Sequence, residues 1–160
     1  MTNDLAPAPV PALAPLAPLV GTWHMVATVD GQPLGGTATT TFAWATDGAF
    51  LVQHADAEPD ESWPEEWVTN APFPVTTIIG ADDALGTFHQ LYADARGVHR
   101  VYRTAVEGAV WRVWRDAPEF FQRFEATISD DGAMIAGRWE KSPDGVVWSV
   151  DFEVTYTRVD

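Results

Sequence analysis

The chain contains no cysteine among its 160 residues, which excludes disulfide bonds, thiolate metal sites and cysteine nucleophiles. Basic residues are scarce, because nine lysines and arginines stand against 23 aspartates and glutamates, and the formal net charge is −14. Nucleic acids and anionic membrane surfaces both attract basic proteins, so the sequence predicts neither as a partner.

Long apolar runs are also missing, since no stretch approaches the roughly 20 residues that a membrane helix needs. Residues 1–18 contain five prolines and no basic residue, whereas a secretory signal starts with a basic segment and continues with an uninterrupted apolar core. We interpret residues 1–18 as an extended Pro/Ala-rich arm, with a short turn of helix near Leu13 to Leu16. We expect one domain over residues 19–160 and a cytoplasmic location.

Turn signals divide the remaining chain into short segments. Asp-Gly or Glu-Gly pairs occur at residues 30–31, 47–48, 107–108, 131–132 and 144–145, and such pairs favour tight hairpins. The segments between the turns are rich in Val, Thr and aromatic residues, as strands are. The pattern predicts ten strands, at residues 20–29, 36–45, 48–56, 74–80, 86–94, 97–106, 109–116, 119–128, 132–141 and 146–158.

A long series of hairpins removes its exposed edges by closing into a barrel. We therefore predict an all-β, antiparallel up-and-down barrel, and a barrel of ten strands has room for a small molecule. On the last strand, Trp148, Val150, Phe152, Val154 and Tyr156 alternate with polar residues. This alternation predicts one apolar face, turned inward along the whole strand.

Several stretches resemble one group of proteins. They are LVGTW (19–23), GAFLVQ (48–53), DARGVHRVY (94–102), FFQRF (120–124), SDDGAMIAGRWEKSPDGVVWSVDF (129–152) and TYTRV (155–159). The Gly-x-Trp on the first strand resembles the signature of calycin barrels, and the chain is similar to bacterial lipocalin-like proteins of unknown function. The resemblance implies a lipocalin-like barrel, related to nitrobindin-like and fatty-acid-binding-protein-like barrels. It implies no particular activity.

Nitrobindin-like barrels hold haem iron with a histidine on their closing strands. The predicted ninth and tenth strands contain no histidine, so we expect no haem and no other cofactor. His54 and Asp56 share a face of the third strand, but two ligands do not make a metal site, and we expect no metal.

Arg100 and Tyr102 form the most suggestive chemical pattern. Residues two apart on a strand point the same way, so an inward-facing pair could clamp a carboxylate. Alternatively both residues lie outside, where Arg100 pairs with surface carboxylates. Gln122 shares a face with Phe124 and other apolar residues of its strand. A buried amide of this kind requires a hydrogen-bonding partner, which can be a ligand.

Three further residues complete the candidate ligand site. His89 lies on the strand before Arg100, where it could orient a ligand or act as a general base. Trp111 and Trp139 are candidate aromatic wall residues. Residues 56–73 form a long acidic segment around Trp63 and Trp67, which we interpret as a lid over the barrel, a loop docked on its outer wall or a dimer contact.

The function we favour is binding of a small apolar or amphipathic ligand, which can carry a carboxylate, inside the barrel. The first alternative is a cofactor-independent enzyme of the cyclase, isomerase or hydratase type, with His89 and Tyr102 or a carboxylate as acid and base. The second is a protein-interaction module that uses the Trp63/Trp67 loop. A homodimer is left open.

Overall fold

The computed structural model describes residues 7–160 and consists almost entirely of β-strands. The strands are β1 (Gly21–Val29), β2 (Gln32–Pro33), β3 (Thr37–Ala45), β4 (Phe50–Glu58), β5 (Val75–Asp82), β6 (Thr87–Asp94), β7 (His99–Glu107), β8 (Val110–Arg115), β9 (Phe121–Ile128), β10 (Met134–Ser142) and β11 (Ser149–Arg158). A 3₁₀ helix (Pro11–Leu19) precedes β1, and helix α1 (Glu65–Thr69) follows β4.

The ten long strands form a closed antiparallel barrel. From β3 to β11 each strand pairs with the next one along the chain, β1 pairs with β3, and β11 returns to pair with β1. The closing pairs include Trp23 with Arg158 and Met25 with Tyr156. The remaining strand, β2, contributes two residues beside β1. The predicted up-and-down barrel of ten strands is confirmed.

The 3₁₀ helix packs against one end of the barrel. Because this helix has about three residues per turn, Leu13, Leu16 and Leu19 fall on one face, and all three are completely buried. The helix contacts β5 and β7, and the indole Nε1–H of Trp23 donates a 2.9 Å hydrogen bond to the carbonyl oxygen of Leu19. Where the sequence suggested an extended arm with one turn of helix, residues 11–19 are helical, and the three leucines belong to the core.

Arg158 explains the glycine of the Gly-x-Trp motif. Its guanidinium lies 4.1 Å from the centroid of the Trp23 ring and donates a 2.6 Å hydrogen bond to the carbonyl oxygen of Val20. Gly21 has a φ of +134°, and a Cβ atom there would collide with the Arg158 guanidinium. The motif therefore provides both a backbone conformation and a space that only glycine allows.

The predicted inward face of the last strand is wrong at its beginning. Trp139 pairs with Phe152 but Glu140 pairs with Val150, so Asp151 is the extra residue of a β-bulge. A bulge reverses the alternation of side chains beyond it. Val150 is consequently exposed, and Trp148 lies under the guanidinium of Arg123, 4.0 Å from it, instead of in the core.

No helix within residues 7–160 is long and apolar enough to cross a membrane.

Candidate functional site

A cavity of about 480 Å³ occupies the barrel interior, and the loops at the end opposite the 3₁₀ helix surround its mouth. Seven of the eight candidate residues from the sequence line it: Trp63, Trp67, Arg100, Tyr102, Trp111, Gln122 and Trp139. The interior faces of β7, β8, β9 and β10 contribute five of them, and the segment after β4 contributes the two tryptophans.

His89 is the candidate that the structure does not bring to the cavity. On β6 the side chains of Phe88, Gln90 and Tyr92 point inward, so His89 points outward. Its Nδ1 atom lies 4.0 Å from the Oδ2 atom of Asp82. Both faces of β6 carry aromatic and polar residues, which is why the alternation alone did not assign them.

A polar cluster lies on the cavity wall at Arg100, Tyr102 and Gln122. The hydroxyl of Tyr102 donates a 2.7 Å hydrogen bond to Oε1 of Gln122, and Nη1 of Arg100 donates a longer one, 3.4 Å, to the same oxygen. Both Tyr102 and Gln122 are buried. The Arg100 guanidinium also lies 5.0 Å from the centroid of the Phe120 ring, a cation–π contact.

Arg115 adds a second guanidinium to this cluster. It pairs in register with Gln122, and its guanidinium carbon lies 5.9 Å from the centroid of the Tyr102 ring. Its Nε atom is buried and has no hydrogen-bond partner among the described residues. Within residues 7–160, neither Arg100 nor Arg115 has a carboxylate within 4.0 Å. Arg100, which lines the cavity, and Arg115 beside Tyr102 therefore have no counter-ion among the described residues.

Aromatic rings form the wall below the polar cluster. The ring of Trp139 lies 5.9 Å from Tyr102 and 5.1 Å from Phe124 between centroids. Trp111 follows at 5.0 Å from Phe124 and also contacts Tyr156 at 6.0 Å. This side of the cavity is suited to the apolar part of a ligand.

The segment between β4 and β5 lies at the mouth of the cavity and contributes to its lining. The Trp63 indole Nε1–H donates a 2.8 Å hydrogen bond to the carbonyl oxygen of Gly35, on one side of the mouth. Trp67, on helix α1, packs edge-on against Trp63 at 6.5 Å and against Phe152 at 5.1 Å. Since Phe152 belongs to β11, the two tryptophans connect two sides of the barrel rim, and we call residues 59–74 the lid.

The far end of the lid is anchored to the turn between β6 and β7. Nη1 of Arg96 donates a 3.2 Å hydrogen bond to the carbonyl oxygen of Asn70, and the Ala95 amide donates one of 3.0 Å to Pro72. Arg96 is held by a 2.7 Å ion pair with Asp94. The hydroxyl of Tyr92 donates a 2.7 Å hydrogen bond to the same carboxylate.

These contacts shift two pKa values. Burial disfavours the charged form of Asp94, but the hydrogen bonds from Arg96, Tyr92 and two backbone amides outweigh it and lower the pKa of Asp94 to about 2. Burial, together with the hydrogen bond to Asp94, raises the pKa of the Tyr92 hydroxyl well above its ordinary value. The carboxylate is thus ionised and the phenol neutral across the physiological range.

Gln90 and Tyr156 are two of the cavity residues that the sequence did not identify as candidates. Gln90 is 6% exposed, and its Oε1 atom is buried without a hydrogen-bond partner in the described chain. Tyr156 is also buried, and burial raises the pKa of its hydroxyl. Gln90 alternates with Phe88 and Tyr92, so the signal that pointed to Gln122, an amide on an aromatic face, was present here too.

A second depression, of about 790 Å³, lies on the outside of β8 to β11. Its arginines already have acidic partners, because Arg112 is 2.8 Å from Glu125 and Arg123 is 2.9 Å from Glu140. These cross-strand pairs form an exposed ladder, and we regard the internal cavity as the candidate site.

Comparisons with protein-family models and with curated proteins give no match. The crystal structure of Rv2717c from M. tuberculosis is similar to this chain, with a TM-score of 0.57 and 17% sequence identity over 96% of this chain and 100% of that chain. At this identity the similarity shows the fold alone. Fold and geometry together define a closed ten-stranded antiparallel β-barrel with an internal cavity, a fold compatible with ligand binding.

Proposed function

We propose that the barrel binds a small amphipathic carboxylic acid without covalent chemistry, and that the chain is a lipocalin-like member of the calycin superfamily. The family assignment is supported by the barrel topology and by Trp23, which follows Gly21 and closes one end. The cavity volume of about 480 Å³ falls within the range of about 300–1,000 Å³ that is typical of small-molecule pockets.

The unpaired charges of Arg100 and Arg115 are the observation that carries this proposal. The chain has 23 acidic residues, yet none of those described lies within 4.0 Å of either guanidinium. Both side chains are partly buried, and withdrawing a charge from water without a counter-ion is unfavourable. A ligand carboxylate would supply the missing negative charge and accept charge-assisted hydrogen bonds from Arg100.

The groups around Arg100 suit a ligand whose carboxylate binds to that arginine. Tyr102 and Arg100 both use the Oε1 atom of Gln122 as an acceptor, which leaves the Gln122 amide N–H groups available to a ligand. The hydrocarbon part would lie among Trp111, Phe124 and Trp139, where apolar burial stabilises it by about 25 cal/mol per Å². The lid tryptophans would then cover the bound molecule.

The two alternatives from the sequence have less support. The enzyme alternative requires His89, which points outward, and no histidine within the described residues lines the cavity. The interaction alternative requires Trp63 and Trp67 to face a partner, but their rings contribute to the cavity lining and pack on each other. Both arrangements favour a ligand-binding cavity with a lid.

Native mass spectrometry with two probes of equal chain length tests the proposal. We expect the protein to form a one-to-one complex with dodecanoate at micromolar concentrations, and a much weaker one with dodecanol, because only the acid neutralises the arginines. If neither probe binds, or if the alcohol binds as tightly as the acid, the proposed function is wrong.

A further inference from the structure

Gln90 lines the cavity, but its side chain makes no hydrogen bond to the described residues. Its side chain is 6% exposed, it lies on the inward face of β6, and its Oε1 atom has no hydrogen-bond partner among the described residues. Rotation about the last side-chain bond presents either the amide oxygen or the amide nitrogen to the cavity. A primary amide can both donate and accept hydrogen bonds.

Such a group is unfavourable for folding, because a buried amide loses its hydrogen bonds to water. A leucine would fill nearly the same volume among the surrounding aromatic residues without this loss. The amide therefore indicates a role in the liganded state, in the same way as the buried Nε atom of Arg115 beside Tyr102, which has no hydrogen-bond partner among the described residues.

The register of the strands places Gln90 close to the carboxylate position. Gln90 is the direct cross-strand neighbour of Tyr102, and Arg100 is the direct neighbour of Tyr92. Gln90 and Arg100 are therefore diagonal neighbours on the same inward face. The Cα atoms of diagonal neighbours are about 7–8 Å apart, and their Cβ atoms are slightly closer. A group bound by Gln90 would be within a few carbon atoms of a carboxylate bound by Arg100.

We infer that the ligand is a hydroxy acid, with its hydroxyl near the carboxylate and hydrogen-bonded to the amide of Gln90. A hydroxyl group both donates and accepts, so it satisfies the amide in either orientation. This inference rests on the proposed function, because it assumes that Arg100 fixes the carboxylate. The hydrogen bond to Gln90 would select hydroxy acids over other carboxylic acids, which the aromatic wall and Arg100 do not do by themselves.

Calorimetric titration with three probes tests the inference: dodecanoic acid, β-hydroxydodecanoic acid and ω-hydroxydodecanoic acid. The last two are isomers that differ only in the position of the hydroxyl. We expect the wild-type protein to bind the β-hydroxy acid about threefold to tenfold more tightly than dodecanoic acid, as one neutral hydrogen bond allows. The ω-hydroxy acid should show no such gain.

The Gln90→Leu variant identifies the residue responsible. It should lose the preference for the β-hydroxy acid over dodecanoic acid, and unfold at an equal or higher temperature. Thr77→Val, on the neighbouring strand β5, is a control for a changed barrel wall and should keep the preference, because the buried Thr77 hydroxyl has no hydrogen-bond partner among the described residues.

Two results would overturn the inference and leave the proposed function intact: dodecanoic acid binds but the wild type does not prefer the β-hydroxy isomer, or the Gln90→Leu variant retains that preference. Absence of binding by all three acids would contradict the proposed function itself, and the inference with it.

Discussion

The hydroxyl of Tyr102 donates a 2.7 Å hydrogen bond to Oε1 of Gln122, and this bond connects β7 to β9 across the intervening strand β8. Both residues are buried on the cavity wall. The bond fixes the amide so that its oxygen faces Tyr102 and Arg100. A site for a polar ligand group is thereby positioned before any ligand enters.

Loss of this hydrogen bond should be measurable in a double-mutant cycle. We expect Tyr102→Phe and Gln122→Leu each to lower the free energy of unfolding, while the double variant loses about 1 kcal/mol less than the sum, because the second change removes a group that is already unpaired. Urea denaturation measures all four proteins. Additivity within about 0.3 kcal/mol would mean that the bond does not contribute.

Removal of the Arg100 charge should affect acids alone. We expect Arg100→Met to weaken dodecanoate binding by about tenfold to a hundredfold, as loss of a charge-assisted hydrogen bond does, and to leave dodecanol binding nearly unchanged. Arg103→Met is the matched control, because Arg103 lies on the same strand with its side chain exposed. Equal effects of the two substitutions would show that only the overall charge matters.

Loss of the lid contacts should change the rate of ligand dissociation more than it changes the stability of the fold. Trp67 packs on both Trp63 and Phe152, so we expect Trp67→Ala to accelerate ligand dissociation by tenfold or more in stopped-flow displacement of a fluorescent fatty acid. Val68→Ala changes an exposed residue of the same helix and should leave the rate as it is. An unchanged rate in Trp67→Ala would mean that the lid does not retain the ligand.

Acid should remove the contribution of Asp94 to stability. Its folded pKa is about 2 against an ordinary value of 3.8, so the carboxylate stabilises the fold above about pH 4 and this stabilisation is lost as the pH falls towards 2. We expect Asp94→Asn to be less stable than the wild type at pH 7 and equally stable near pH 2, by thermal unfolding. Asp83→Asn, in an exposed turn, should match the wild type at both values.

The 3₁₀ helix should be essential for stability. Leu16 is completely buried against the barrel, and we expect Leu16→Ala to lower the free energy of unfolding by about 2–5 kcal/mol. Ala14→Ser, at an exposed position of the same helix, should change it by less than about 0.5 kcal/mol. A loss below about 1 kcal/mol for Leu16→Ala would mean that the helix detaches readily from the barrel.

Local patterns predicted the barrel because hairpin turns and strand alternation act over a few residues. Asp30-Gly31 lies between β1 and β2, and Asp144-Gly145 lies between β10 and β11. In both cases the two strands pair with each other. The same rule placed Arg100 and Tyr102 on one face. The spacing of three residues between Leu13, Leu16 and Leu19 was also visible in the sequence, and it is the period of a 3₁₀ helix.

Features that depend on distant contacts were not predictable in this way. The bulge at Asp151 results from how β10 and β11 pair. Because of it, Trp148 lies outside the core, although the alternation predicted it inside. The lid is placed by bonds between residues far apart in sequence, such as Trp63 with Gly35. The outward position of His89 follows from the inward packing of Gln90 and Tyr92 on the opposite face of β6. Strand alternation separates the two faces but does not say which of them meets the cavity.

The indole N–H signals of the eight tryptophans allow binding inside the barrel to be tested by two-dimensional ¹H–¹⁵N NMR. Trp63, Trp67, Trp111 and Trp139 line the cavity, whereas Trp114 and Trp148 lie on the outer depression and Trp23 lies at the closed end. Titration with dodecanoate should shift the four cavity signals and leave those of Trp114, Trp148 and Trp23 in place. Shifts confined to Trp114 and Trp148, or no shifts at saturating dodecanoate, would contradict the account.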